Sequence, residues 1–189
     1  MVRIDKIVTK AGDGGKTRLA TGEPVSKAGA RVAAYGAVDE ANSAIGVARL
    51  YTAGDAVLDP ILERVQNDLF DLGADLATPH ADDLKFEPLR IQPSQTDRLE
   101  AEVEQLNERL SPLASFILPG GSPAAAHLHL ARAMARRAER AIVALADVEA
   151  IPPEPVKYAN RLSDLLFVAA RYANDQGQAD ILWKPGAIR

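Results

Sequence analysis

The sequence predicts an all-α fold, a five-helix bundle that follows an irregular N-terminal segment rich in glycine and lysine. Hydrophobic residues make up 47% of the chain but aromatic residues only 5%, so alanine and leucine supply most of the apolar surface and favour closely packed helices. Apolar residues also recur at helical spacing in successive segments that glycine, proline and polar residues separate. A chain of 189 residues has the length of one domain, so we expect a single core.

The single domain divides into three parts by composition. Residues 1–35 form a polar leader that glycines interrupt, residues 36–177 contain the predicted bundle, and residues 178–189 form a tail. The tail contains Trp183 and Pro185, and its sequence indicates no function.

The first two helices are predicted from apolar positions that fall on one face. The first runs from about Tyr35 to Tyr51 and the second from about Val57 to Leu76. A loop that contains Pro93 follows, and the region from Leu99 to Leu110 predicts a third helix with charged residues on its other faces.

The last two helices have clear start signals. Ser122 is a favourable N-cap and Pro123 suits the first helical position, so a long fourth helix should begin there. The positions predicted for its apolar side are Leu130, Met134, Ala138, Ala141 and Leu145. A proline-rich link precedes the fifth helix, from about Val156 to Gln176, and short connections between helices are typical of a bundle.

Charge and composition exclude several classes of function. A net charge of −4 offers no overall attraction for nucleic acid, so a polyanion would have to meet a local cluster of Lys and Arg. The chain has no Cys, which excludes disulfides, thiolate metal sites and thiol nucleophiles. It also has no apolar run of the length that a signal peptide or a membrane span needs, so we expect a soluble, cytoplasmic protein.

Polar residues collect in stripes on three of the predicted helices, opposite their apolar sides. The stripes consist of Asp39, Asn42, Ser43 and Gly46 on the first helix, Arg132, Arg136 and Glu139 on the fourth, and Asn160, Asp164 and Arg171 on the fifth. By pattern alone, a solvated outer face is the preferred interpretation. The fifth helix is apolar nearly all round, however, so its polar stripe should face protein and contribute to a site.

The glycines of the leader resemble a phosphate-binding loop only superficially. Gly14, Gly15, Lys16 and Thr17 invite a Walker A assignment, but Lys10 stands where the motif requires its first Gly. A cradle of backbone N–H groups beside lysines remains open, and so does a plain surface loop. The three histidines are interpreted as a loop residue, His80, and two helix-surface residues, His127 and His129.

Five ordered blocks resemble the PduO-type ATP:cob(I)alamin adenosyltransferases, from about residue 7 to residue 175. The leader from Thr9 to Thr17 is similar to the family signature TKxGDxGxT. The other four blocks are residues 35–43 (YGAVDEANS), residues 116–121 (FILPGG), Arg132 together with residues 136–140 (RRAER), and residues 158–164 (YANRLSD). Ala41 is a mild departure, since many relatives carry Leu there.

The resemblance implies a homotrimer of five-helix bundles, with each active site between adjacent subunits. It implies transfer of the 5′-deoxyadenosyl group of ATP to the cobalt of cob(I)alamin, which gives adenosylcobalamin and triphosphate. The expected ATP-binding residues are Thr9, Lys10, Gly12, Asp13, Gly15, Thr17, Lys27, Arg136, Arg137, Glu139, Arg140 and Asn160. The expected cobalamin-binding residues are Phe116, Asp39, Arg132 and Asp164, with Asp39 and Arg132 forming an ion pair between subunits. Arg136, Asp39, Arg132 and Phe116 would be the catalytic residues.

The reaction that the resemblance implies needs no general base, because cob(I)alamin is itself a strong nucleophile. Arginines, lysines and Mg²⁺ would stabilise the departing triphosphate, and the magnesium ligands stay open, with phosphate oxygens and water preferred. Phe116 would keep ligands off the lower face of cob(II)alamin and so make its reduction accessible; alternatively, it is an ordinary core aromatic.

A reductase and an acceptor enzyme that depends on adenosylcobalamin are the expected partners. The alternative functions are a delivery chaperone for adenosylcobalamin and a helical scaffold that binds phosphates without a corrinoid.

Overall fold

The computed structural model describes residues 7–187, and in that part of the chain five helices form a bundle behind a short hairpin. The helices are α1 (Ala30–Arg49), α2 (Leu58–Leu76), α3 (Pro93–Asn107), α4 (Pro123–Ala146) and α5 (Glu154–Tyr172). The two strands of the hairpin are β1 (Lys16–Arg18) and β2 (Pro24–Ser26). The all-α prediction is confirmed.

The core forms where α4 packs between α1 and α5. α2 packs on α1 and also contacts α5, and α3 packs on α5. Leucines such as Leu62, Leu128 and Leu165 are fully buried in the core. Buried alanines, among them Ala34 and Ala131, allow the helix backbones to approach closely, because each fills little space between them.

The leader is more ordered than the sequence predicts. β1 and β2 pair antiparallel, with Lys16 opposite Ser26, and the connection between them uses Gly22 at a positive φ of 85°. The Ala20 N–H donates to the carbonyl of Ala77 at 3.1 Å, which fastens the hairpin to the end of α2. The prediction of an irregular leader therefore needs correction between Lys16 and Ser26.

Of the five predicted helix starts, three differ from the structure by two residues or more, and those of α2 and α4 match it to within one residue. α1 begins at Ala30 rather than near Tyr35, and α5 begins at Glu154 rather than Val156. α3 begins at Pro93, which the prediction left in a loop, and Gln92 and Gln95 close a capping box there. The predicted cap of α4 is confirmed, because the Ser122 hydroxyl accepts from the Ala125 N–H at 3.1 Å.

The predicted apolar side of α4 is offset from the buried one. Leu130 is 50% exposed and Met134 is only half-buried, so the prediction was wrong at the N-terminal end of this stripe. The buried residues of α4 are Ala125, Leu128, His129, Ala131, Ala135, Ala138, Ile142 and Leu145. The prediction was offset because alanine is less hydrophobic than leucine or methionine, so Leu130 and Met134 outweighed the alanines of the buried face in the sequence pattern.

Two of the connections are long rather than short, contrary to the prediction. They are residues 77–92, between α2 and α3, and residues 108–122, between α3 and α4. Across residues 7–187, none of the helices combines the length and the apolar character that crossing a bilayer requires.

Candidate active site

The outer face of α4 carries a row of arginines. Arg132, Arg136 and Arg140 lie four residues apart, so they project from successive turns of one helical face. Arg136 and Arg140 are exposed, and within residues 7–187 neither forms an ion pair. The Arg140 guanidinium instead donates to the Arg136 carbonyl at 3.1 Å. Such a row presents uncompensated positive charge, as a polyanion-binding surface requires.

Two further polar residues of α4 form side-chain contacts with neighbouring helices. Arg137 forms an ion pair with Glu40 of α1. Glu139 accepts a hydrogen bond from the Asn160 side chain of α5 at 2.8 Å. Glu139 and Asn160 line a cleft of about 430 Å³ whose other residues are Thr96, Glu100, Val156, Lys157 and Arg161.

The leader forms a cleft of its own, with a volume of about 590 Å³. Its lining residues are Thr9, Ala11, Gly12, Lys16, Thr17, Arg18, Pro24 and Lys27. Gly12 lies against the end of Lys27, since a Cβ added to Gly12 would lie 2.8 Å from the Lys27 Nζ. The Lys27 N–H donates to the Gly15 carbonyl at 2.9 Å, which holds the lysine beside the glycine turn.

The leader and the α4–α5 residues remain apart in one chain. The leader cleft and the α4–α5 cleft share no lining residue. The predicted ATP-binding residues therefore fall into two groups, one in the leader cleft and one on the polar sides of α4 and α5.

Asp39 and Arg132 also lie on different faces. Asp39 is exposed and lines a groove of about 330 Å³ between α1 and α2, together with apolar residues such as Tyr35 and Phe70. Within residues 7–187 the structure shows no ion pair between Asp39 and Arg132, whose Nε is buried without a hydrogen-bond partner. Burial and the charge of Arg136 lower the pKa of the Arg132 guanidinium.

The prediction that His129 lies on the helix surface was wrong. Its side chain packs edge-on against Phe167 of α5 and is only 2% exposed, and neither ring nitrogen has a hydrogen-bond partner among the described residues. Burial lowers the pKa of His129, and the positive charge of Arg132 lowers it further, whereas Asp180 opposes the shift. His127, in contrast, is half-exposed and stacks on Tyr51 with the ring centroids 5.0 Å apart.

Phe116 lies in the connection of residues 108–122 and is 78% exposed, so in this chain it is not a core aromatic. The centroid of its ring is 6.1 Å from that of Trp183, a residue of the tail. An exposed phenylalanine offers an apolar surface to a ligand or to another subunit.

The predicted polar stripe of α5 divides into separate contacts. Asn160 bonds Glu139, and Asp164 forms an ion pair with Arg161 of its own helix. Arg171 is buried and pairs with Asp180, so it belongs to a different cluster, and its assignment to the stripe was wrong. No group of three or more acidic or histidine side chains within the described chain could hold a metal ion.

A family model for cobalamin adenosyltransferases matches residues 7–173, which include both groups of site residues. The chain belongs to the cobalamin adenosyltransferase family. Membership in this family of transferases confirms both the resemblance and the classification as an adenosyl-transferring enzyme.

Curated relatives in this family are similar over nearly the whole chain. The corrinoid adenosyltransferase of Mycobacterium tuberculosis is 48% identical over 190 residues, which cover 100% of this chain and 97% of the relative. The corrinoid adenosyltransferase PduO of Salmonella typhimurium is 41% identical over 179 residues, which cover 93% of this chain and 52% of the relative.

Solved structures from the family share the fold. A variant of the PduO-type ATP:corrinoid adenosyltransferase from Lactobacillus reuteri, complexed with cobalamin and ATP, superposes with a TM-score of 0.88 and 43% identity. That match covers 95% of this chain and 99% of the other. A second variant of that enzyme, complexed with ATP, gives a TM-score of 0.86 and 44% identity, and covers 95% and 100% of the two chains.

Proposed function

We propose that the protein transfers the 5′-deoxyadenosyl group of ATP to the cobalt of cob(I)alamin, giving adenosylcobalamin and triphosphate. The arginine row of α4 carries this proposal, because Arg136 and Arg140 are exposed cations without an ion-pair partner in the described chain. A triphosphate is the kind of ligand that would compensate such a row. The relatives named above support the proposal, since they are named for the same activity and one was solved with both substrates.

The nucleotide would bind between the leader of one subunit and α4 of the next. The leader residues proposed for ATP are Thr9, Lys10, Gly12, Asp13, Gly15, Thr17 and Lys27. Those proposed on the helices are Arg136, Arg137, Glu139, Arg140 and Asn160. The lining of the leader cleft supports this arrangement, because it includes Lys27 but neither Arg136 nor Arg140 of α4.

The chemical step is a nucleophilic displacement at the 5′ carbon of ATP. The cobalt(I) electron pair would form the Co–C bond while the C5′–O bond breaks, and the triphosphate would leave with that bond's electrons. Since the nucleophile carries no proton, the protein needs no general base. Its contribution would be to align the reactants and to stabilise the charge on the departing triphosphate with Arg136 and Arg140.

The corrinoid would lie beside Phe116, whose exposed ring would exclude a lower axial ligand from cob(II)alamin. Asp39 of one subunit and Arg132 of its neighbour would pair next to the corrinoid, and Asp164 would contact it. The unpartnered Nε of Arg132 supports this pairing, because a buried guanidinium requires a hydrogen-bond acceptor.

The assembly would be a homotrimer in the cytoplasm, supplied with electrons by a reductase and releasing its product to an acceptor enzyme. A magnesium ion would be carried by phosphate oxygens and water, because the described residues provide no ligand cluster for it.

Titration of cob(II)alamin with and without ATP tests the proposed function. We expect the absorption and electron paramagnetic resonance spectra to show four-coordinate cob(II)alamin only when ATP is present. Phe116→Ala should bind ATP as the parent does but lose that signal. A parent protein whose cob(II)alamin spectra do not respond to ATP would contradict the proposal.

A further inference from the structure

The tail of the molecule is paired, backbone to backbone, with the segment that carries Phe116. The Trp183 N–H donates to the Phe116 carbonyl at 2.8 Å, and the Leu118 N–H donates to the Ile181 carbonyl at 2.7 Å. The Ser115 hydroxyl adds a bond to the Trp183 carbonyl at 2.9 Å. These contacts form a short antiparallel ladder between the tail and the connection of residues 108–122.

A buried polar cluster lies at the base of this ladder. Arg171 Nε donates to Asp180 Oδ2 at 2.8 Å, and the two side chains are only 6% and 3% exposed. The Asn174 side-chain amide donates to the other Asp180 oxygen at 3.3 Å. One carboxylate therefore joins the end of α5 to the start of the tail.

The same cluster fixes both ends of the Phe116 segment. Arg171 donates to the Ser111 carbonyl at 2.9 Å, before Phe116 in the chain. After Phe116, Asn174 donates to the Gly120 carbonyl at 3.2 Å and accepts from the Ser122 N–H at 2.9 Å. The Asn174 side chain lies so close to the Gly121 backbone that a Cβ added to Gly121 would lie 2.2 Å from the Asn174 Oδ1.

Burial cannot hold Phe116 in place, because its ring is mostly exposed and most residues between Ser111 and Pro119 are exposed as well. An exposed segment keeps one conformation only where hydrogen bonds or ion pairs restrain it. In this segment the restraints are the ladder and the Asp180 cluster.

We infer that Asp180, acting through Arg171, Asn174 and the tail ladder, is a positioning residue for Phe116 and thereby controls access to the lower face of the corrinoid. This inference rests on the proposed function, since it assigns a role to the tail in the same site. Asp180 itself would touch no substrate, because its carboxylate is buried and both of its oxygens are already hydrogen-bonded.

The test compares Asp180→Asn with Asp175→Asn, a matched control that makes the same chemical change on an exposed side chain nearby. Asp180→Asn removes the charge opposite Arg171 and should lower the fraction of four-coordinate cob(II)alamin at saturating ATP by roughly tenfold, because a small misplacement of a reacting group is costly. The affinity for ATP, measured by calorimetry without corrinoid, should stay within about twofold, since Asp180 hydrogen-bonds Arg171 and Asn174 rather than a residue proposed for ATP. Asp175→Asn should behave as the parent protein does.

A role in general stability alone would give a different result. Asp180→Asn would then weaken ATP binding and the spectral signal together, and activity with chemically pre-reduced cob(I)alamin would fall as far as activity that starts from cob(II)alamin. That outcome would overturn the inference, and so would an unchanged four-coordinate fraction in Asp180→Asn when Phe116→Ala loses it. A parent protein without any ATP-dependent signal would overturn the proposed function as well.

A second pair of variants keeps the test available if Asp180→Asn does not fold. Trp183 is 45% exposed, so both Trp183→Ala and Trp183→Pro should be tolerated. Both remove the ring, but only proline removes the N–H that donates to the Phe116 carbonyl. We expect the lower four-coordinate fraction with proline, and equal, parent-like fractions in the two variants would overturn the inference.

Discussion

Arg136 is the side chain on which the proposed chemistry depends most, because it is exposed in the middle of the α4 row. We expect Arg136→Ala to lower turnover on the order of a hundredfold, as the loss of one preorganised charge donor does elsewhere. Formation of adenosylcobalamin from chemically reduced cob(I)alamin, followed by absorbance, measures this effect. Arg109→Ala is the control, since Arg109 bonds Tyr172 outside the row. A rate for Arg136→Ala within a few-fold of the parent would remove Arg136 from the site.

His129 should make the stability of the protein dependent on pH. Burial lowers its pKa in the folded state below the ordinary value of 6.5, so the unfolded chain binds a proton first as the pH falls. The free energy of unfolding should therefore decrease below about pH 6.5, by up to about 1.4 kcal/mol per pH unit, until the folded pKa is reached. Denaturant unfolding at several pH values measures this slope.

The matched variants are His129→Leu and His80→Leu. His129→Leu should flatten the dependence of stability on pH in this window, whereas His80→Leu should keep it, because His80 is exposed in a loop. If the free energy of unfolding depends on pH equally in the two variants, a group other than His129 dominates this pH dependence.

Individual residues differ in how far the sequence could predict them. Arg132 and Arg136 could be assigned to one polar face of α4 because of their spacing, whereas Arg140 was expected in the site only from the resemblance. His129 could not be recognised as buried, because it precedes Leu130, and Leu130 was expected on the apolar side. A helical wheel centred on Leu128 and Ala131 would have placed His129 at the edge of the core.

The leader hairpin, as an element, brings Lys27 against Gly12, and we expect substitution there to affect nucleotide binding. A Cβ in Gly12→Ala would lie 2.8 Å from the Lys27 Nζ, so the ammonium group would have to move. The affinity for ATP should fall by up to about tenfold, as when one charge-assisted contact weakens. Gly14→Ala is the matched control, because a Cβ at Gly14 meets nothing within 4 Å. Equal ATP affinities in the two variants, measured by calorimetry, would place Lys27 outside the site.

The elements themselves were predictable to different degrees. α2 could be placed within one residue of its start because its apolar residues follow helical spacing without interruption. The hairpin could not be predicted, because strands of three residues, KTR and PVS, show no alternation of apolar and polar residues. It is held in place by tertiary contact with the end of α2, which local sequence does not reveal.

At the scale of the whole molecule, the proposed site requires two copies of the chain, and mixing inactive variants tests this requirement. Asp39→Ala and Arg132→Ala should each lose most activity. If the pair forms between subunits, co-refolded mixtures should regain activity, because a subunit with intact Asp39 can meet a neighbour with intact Arg132. Random assembly of equal amounts into trimers would restore about a quarter of the parent sites.

The mixing experiment can also contradict the proposed pair. No recovery in the mixture would mean that Asp39 and Arg132 act within one chain or not as a pair. The control is the variant that carries both Asp39→Ala and Arg132→Ala, because its assemblies contain no intact pair and should stay inactive. Sedimentation of the parent protein should give the mass of a trimer.

The sequence predicted the bundle, but the arrangement of the site across it could be inferred only from the resemblance. Periodicity assigns residues to faces of single helices, and it does not reveal that Asp39 faces α2 while Arg132 lies beside His129 on α4. Such relations depend on how helices distant in sequence pack, and in the proposed site they would also depend on a second copy.

The separation of the two clefts has a consequence for a newly synthesised chain. If the nucleotide binds between subunits as proposed, a lone protomer would offer only part of the site, so it would retain nucleotide poorly and would leave ATP intact. Catalytic competence would then be acquired on association rather than on folding, and dilution below the dissociation constant of the assembly would inactivate the enzyme without denaturing it.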